Sequence, residues 1–236
     1  MDMKAILKKT AAVVTAAAMM TVSAACSSKK EESSSLSNMV GNGPSDSLVM
    51  DEDNMPYGAT MTSLKNSNND KVKIDIDFDP RYFEQDGTDY PEIYLLTEYI
   101  EAMQNRDSEK LEKLFYKPYL DFSVQRSSFS DTADYLEKYV DNLENRAKSE
   151  IEFTYIVVDT CLNENESENL TDFEFVDQKI NELSGEQLTD KVKSRKLVYM
   201  DIAFKDSQGN TYMINDTLGS DLSVYIYNID GTYYLL

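Results

Sequence analysis

From residue 71 onward the chain switches between two hydrophobic periods, and the switches mark its elements. In "KVKIDIDFDP" Ile74, Ile76 and Phe78 alternate with Asp75, Asp77 and Asp79, which predicts a half-buried strand with a solvated acidic face. The spacing D-x-D-x-D also opens a calcium loop. Such a loop needs glycine at its sixth position and glutamate at its twelfth, where this chain has Pro80 and Asp86.

The period then lengthens. "YPEIYLLTEYIEAMQNRD" places Ile93, Leu96, Ile100 and Met103 on one helical stripe, with Pro91 in the first turn. Asp107 or Ser108 caps a second helix over "SEKLEKLFYK", which carries Leu111, Leu114 and Phe115 on one side and is expected to stop at Pro118. A third helix starts after Ser130 and repeats Ala133, Leu136, Val140, Leu143 and Ala147. "YIEAMQNR" and "YVDNLENR" look alike but have no third copy, so a helical repeat array is excluded.

The last third returns to the strand period. "IEFTYIVVDTCL" reads as one long strand. Residues 163–195 are the least legible stretch, with an acidic loop "NENESEN" followed by "TDFEFVDQKINEL" and a candidate capping box at Thr171 and Glu174. "KLVYMDIAFK", the turn "DSQGN" and "TYMINDTL" read as a hairpin. "DLSVYIYNI", the turn Asp230–Gly231 and "TYYLL" read as another, since Asp-Gly between alternating runs is the strongest short hairpin signal. The fold class is therefore α+β: an antiparallel sheet packed against about three N-terminal helices, over residues 71–236.

The first 70 residues follow neither period. Residues 1–25 read as a signal peptide: Lys4, Lys8 and Lys9, then the small apolar run "TAAVVTAAAMMTVSAA". That run is too short and alanine-rich for a bilayer span, which takes about 20 strongly apolar residues. Residues 26–70, rich in serine, asparagine and acids, bury too little to fold and read as a disordered tether. A flexible tether of that length has a root-mean-square span of about 35–40 Å.

Composition narrows the chemistry. The net charge is −20, and residues 1–25 contribute +2, leaving −22 for the remainder. Such a polyanion is repelled by phosphate backbones and anionic headgroups, so nucleic acid is excluded as a partner. The chain has no histidine, which removes the usual general base near neutral pH, the Ser-His-Asp and Cys-His arrangements, and the commonest zinc ligand. No catalytic, cofactor-binding or metal residue is assigned. Cys161, in the apolar run "YIVVDTCLN" with no basic neighbour, reads as a small buried hydrophobe.

Two resemblances add to this reading. "VSAAC", with Ser23 in the place usually held by leucine, resembles the bacterial lipobox. The resemblance implies cleavage before Cys26, a diacylglyceryl group on its thiol and palmitate-type acylation, giving a lipoprotein on the outward face of a bacterial cell membrane. Two acyl chains anchor stably where one does not, at about 0.8 kcal/mol for each buried methylene.

"TEYIEAMQNRDSEKLEKLF" and "VYIYNIDGTYYLL" resemble the opening helices and closing strands of the nuclear transport factor 2-like superfamily, also called cystatin-like or ketosteroid-isomerase-like. The likeness covers residues 90–236 in outline and is nearest to lipoprotein members from Gram-positive cells. It implies a curved sheet wrapped as a cone around a long helix, with a pocket at the open end. No catalytic motif of the isomerases is matched, so no catalytic residue is carried over.

Within that frame Asp201, set among apolar strand residues, is the most notable carboxylate; Val198, Met200, Ile202 and Phe204 form the better core face, so Asp201 is expected to face solvent beside Leu197 and Tyr199. Tyr199, Asp201, Tyr225 and Tyr227 are the candidate pocket or surface contacts, although cross-strand packing also accounts for the tyrosines. The reading is a non-catalytic binding module for a surface protein or cell-wall component. Its alternative is a small-molecule binder or isomerase-like enzyme that uses the cone. An import receptor needs two α/β lobes, which the length and strand order do not provide.

Overall fold

The computed structural model describes residues 62–63, 74–87, 89–164, 170–219 and 221–236. The expected signal peptide and Cys26 lie outside these residues, as does most of the tether. The strands are β1 (Thr62–Ser63), β2 (Asp75–Phe78), β3 (Ile151–Asn163), β4 (Val192–Asp206), β5 (Thr211–Met213), β6 (Leu222–Ile229) and β7 (Thr232–Leu235). They form one sheet in the order β1-β2-β3-β4-β6-β7, with β5 also on β4. Around it lie α1 (Pro91–Gln104), α2 (Ser108–Leu114), α3 (Lys117–Arg126), α4 (Thr132–Ala147), α5 (Leu170–Ser184) and α6 (Ile214–Leu218).

The α+β class stands, with two corrections to its detail. The sheet is mixed, because β2 runs parallel to β3, with Ile76 beside Ile156. The crossover from β2 to β3 carries four helices, the long connection that a parallel pair requires. Helices also cover both faces. On the first face α1, α2 and α4 bury Leu96, Ile100, Leu111, Leu136 and Leu143 against Ile156, Val198, Met200, Ile202 and Phe204. On the second face α5 seats Phe173, Val176 and Ile180, all fully buried, against Leu197, Tyr225, Tyr227 and Ile229. Each such apolar side chain is worth about 1.5–3 kcal/mol when fully buried.

Local chemistry sets the boundaries. Pro91 starts α1, and the Asp107 carboxylate accepts the Lys110 N–H to cap α2. Pro118 does not end a helix; it sits in the first turn of α3, where a missing N–H costs nothing. This short helix passes the β7 edge, where the Tyr116 N–H donates to the Leu235 carbonyl at 3.0 Å. Tyr119 thereby reaches the second core. That contact covers an edge strand. Asp230 and Gly231 both take positive φ, 54° and 92°, which a type I′ turn between β6 and β7 demands.

Other expectations change. The acidic face of β2 is not solvated: Asp77 and Asp79 are 8% and 7% exposed. Asp77 accepts the Tyr155 hydroxyl, and the Asp79 carboxylate takes the Arg81 backbone N–H at 3.0 Å along with its guanidinium. "TYMINDTL" gives only the three residues of β5 before turning into α6. α5 begins one residue ahead of Thr171, which therefore lies inside the helix. Thr62 and Ser63, in the stretch read as tether, pair with Phe78 and Asp77.

Candidate functional site

Strand β4 carries two consecutive basic residues, and a strand sends consecutive side chains to opposite faces. Lys196 points to the first face and meets the first turn of α1, where its ammonium donates to the Glu92 carboxylate at 2.6 Å. Both side chains are buried, 8% and 1% exposed. Glu92 also accepts the Glu84 backbone N–H at 2.7 Å, and the Phe83 ring lies 5.4 Å from the ammonium. Desolvation pushes the Glu92 carboxyl above its ordinary range, and Lys196 pulls it back.

Arg195 points to the second face. It pairs with Asp177 of α5 and lies 5.5 Å from the Phe173 ring centre. The other Asp177 oxygen accepts the Tyr227 hydroxyl at 2.9 Å. Two neighbouring cations thus tie two helices to opposite sides of one strand.

The residues proposed from sequence fall on the second face. Register sets Leu197 opposite Tyr225 and Arg195 opposite Tyr227. Tyr225 and Tyr227 are 1% and 0% exposed, beneath Phe173 at 5.8 and 6.4 Å. They are core residues of the α5 seat, because α5 occupies the face they line. Tyr199 packs half-buried at the margin of the same core.

Asp201 lies further along β4, at the end that α5 does not cover. It is half-buried, accepting the Asn215 N–H at 3.0 Å and the Ile202 N–H at 2.8 Å, where full solvation was expected. Burial raises its carboxyl, against those two bonds. Asp159 stands nearby at a bulge in β3. Desolvation, then the like charges of Asp221 and Asp201, push the Asp159 carboxyl up to about 7. The residue as a whole is exposed, so repulsion by the two neighbouring carboxylates is the firmer cause. Among the described residues no group of three or more acids, cysteines or histidines is arranged to hold a metal ion.

Lys196 and Glu92 escape a reading based on candidate carboxylates and tyrosines. Their signal is the same periodicity that found the core. Two residues before Val198 on its face comes Lys196, and four before Leu96 comes Glu92, so each interrupts an apolar stripe with opposite charge. A third buried cluster, Tyr99, Tyr135 and Tyr139 between α1 and α4, is equally silent in the sequence. The Tyr139 hydroxyl has no hydrogen-bond partner among the described residues.

The chain matches no protein-family model, and neither the curated proteins nor the solved structures yield a significant match.

Proposed function

We propose that the chain is a lipid-anchored binding module on the outward face of a bacterial cell membrane, held through Cys26 and recognising a surface protein or cell-wall component without catalysis. The anchor rests on the sequence junction at Cys26, where a basic and apolar run meets a polar stretch. Among the described residues no helix is long and apolar enough to cross a membrane; in this reading the acyl chains on Cys26 supply the attachment. The cone-like architecture of the nuclear transport factor 2-like proteins belongs to the same reading, with α1 as its long helix.

One observation supports binding over catalysis. The acids set against the two cores are already committed: Glu92 to Lys196, and Asp177 to Arg195 and Tyr227. A general base needs a lone pair within reach of substrate. The isomerase-like alternative draws on the raised carboxyls of Asp159 and Asp201, at the end of the second face beyond α5.

Detergent-phase partition of the full chain expressed in a bacterium tests the anchor. Wild type is expected in the detergent phase and Cys26→Ser in the aqueous phase. A Cys26→Ser protein that still partitions with detergent overturns the lipidated anchor.

A further inference from the structure

The first face ends in a row of polar side chains. Register sets Ser194 of β4 opposite Asn228 of β6, and Asn228 opposite Tyr233 of β7, so the three lie in line across three strands. Lys196 follows two residues along β4 on the same face. Its ammonium has three N–H donors, of which one is given to Glu92.

Over this row lie residues 83–87, followed by Asp89 and Tyr90. The feet are fixed: Phe83 and Tyr90 pack edgewise on Phe78, with ring centres at 5.6 and 5.0 Å. The waist is closed by mutual backbone bonds of 2.9 Å between Asp86 and Asp89, with Gly87 at positive φ in the turn. Between feet and waist, the exposed Glu84 turns its carboxylate down onto the row and accepts the Tyr233 hydroxyl. That bond, with the nearby Ser194 hydroxyl and the Lys196 charge, holds the Glu84 carboxyl below its usual range despite partial burial.

Glu92 takes only one donor of Lys196, so the hydroxyls and the remaining ammonium donors of the row face one other carboxylate, that of Glu84. The row's donors come from hydroxyls and one ammonium, and its rim is the apolar edge of Phe83 and Tyr233. This suits a singly charged, planar carboxylate with an apolar or acyl neighbour better than a dianion. We propose that the row is a carboxylate-binding site whose resident occupant is Glu84, and that an external monocarboxylate takes its place. The inference rests on the binding reading above and not on the lipid anchor.

A resident carboxylate on a short loop competes at an effective concentration in the millimolar range. Its removal therefore raises the apparent affinity for an outside carboxylate. Glu84→Ala deletes the competitor and keeps the backbone N–H that Glu92 accepts.

The test is calorimetric titration of the full chain with N-acetylglycine, with N-acetyl-alanyl-alanine and with inorganic phosphate. Glu84→Ala is expected to bind N-acetylglycine at least about tenfold more tightly than wild type, since the resident group no longer competes. Adding Tyr233→Phe or Ser194→Ala to that background is expected to reverse most of the gain. Tighter binding of the dipeptide than of N-acetylglycine assigns the carboxylate to a peptide terminus; equal binding assigns it to a free small acid. Absence of saturable binding by Glu84→Ala overturns the proposal, as does a gain untouched by both second substitutions, or an equal gain for phosphate. None of these outcomes depends on Cys26, so failure here is separable from failure of the anchor.

Discussion

Arg195 and Lys196 are neighbours in sequence and opposites in environment. Lys196 and its acid are 8% and 1% exposed; Arg195 and Asp177 are 20% and 19% exposed, with a third partner in Tyr227. Water can take over part of a lost bond in the second pair and none in the first. A buried pair gains little net stability over an apolar one, because removing both charges from water offsets their attraction. Breaking it from one side is another matter. The difference teaches that the sheet's two helical layers are fastened by the same kind of contact at different risk.

Lys196→Met is accordingly expected to have the largest effect, about 3–5 kcal/mol of stability lost in urea denaturation, because Glu92 is left buried without its cation. Replacing both, Glu92→Leu with Lys196→Met, is expected to recover all of that loss. A double variant as unstable as the single one would mean the pair's value lies in its packing. Arg195→Met comes next, at about 1–2 kcal/mol, since solvent reaches Asp177. Equal losses at the two sites would erase the comparison.

A buried polar group with no partner should behave in the opposite sense. The Tyr139 hydroxyl is such a group among the described residues, and burial pushes its pKa up. Tyr139→Phe is expected to stabilise the fold by about 1 kcal/mol, the desolvation cost of an unsatisfied hydroxyl. A loss of similar size would place an ordered water there.

The last effect concerns pH and the uncovered end of the second face, where exposure of Asp159 to solvent screens the repulsion and reduces its weight. Asp159 faces Asp201 and Asp221, and its carboxyl is raised in the fold to about 7. A carboxyl raised by folding contributes stability that is present below its ordinary pKa near 3.8 and is lost as pH climbs through the folded value. Wild type is therefore expected to lose melting temperature between pH 4 and about 7 at this site, and Asp159→Asn to flatten that part of the profile. An unchanged profile in the variant would remove Asp159 as the cause.

Much of the fold is legible where one physical signal dominates. The stripe of α1, the cap of α2 and the Asp230–Gly231 turn each follow from local chemistry alone. Pro118 misleads as a helix stop because proline also starts helices, and here it stands in the first turn of α3 beside the β7 edge. α5 hides in an acidic stretch because its apolar face is three narrow positions, Phe173, Val176 and Ile180, which gain their meaning from the tyrosines of a distant strand. The candidate site was less legible. Tyr225 and Tyr227 carry polar tips that read as ligand contacts until a helix is laid over them. Asp77 reads as a surface charge, and Glu92 and Lys196 go unmarked, until each is given its partner from 78, 104 and 104 residues away in the chain.

The long β3–β4 ladder, with two strands on either side of it in the sheet order, also has a bearing on the order of assembly. Its two strands are separated in sequence by α5, so the pair closes only after a loop the length of a helix and its connections has been gathered in. The β6–β7 hairpin needs only a two-residue turn and can form in microseconds. Folding speed should then follow the closing of the long-range pairs, β3 on β4 and β2 on β3, more than that of the hairpin. Mutations that loosen α5 from its seat would slow refolding only if that helix docks before the strands meet.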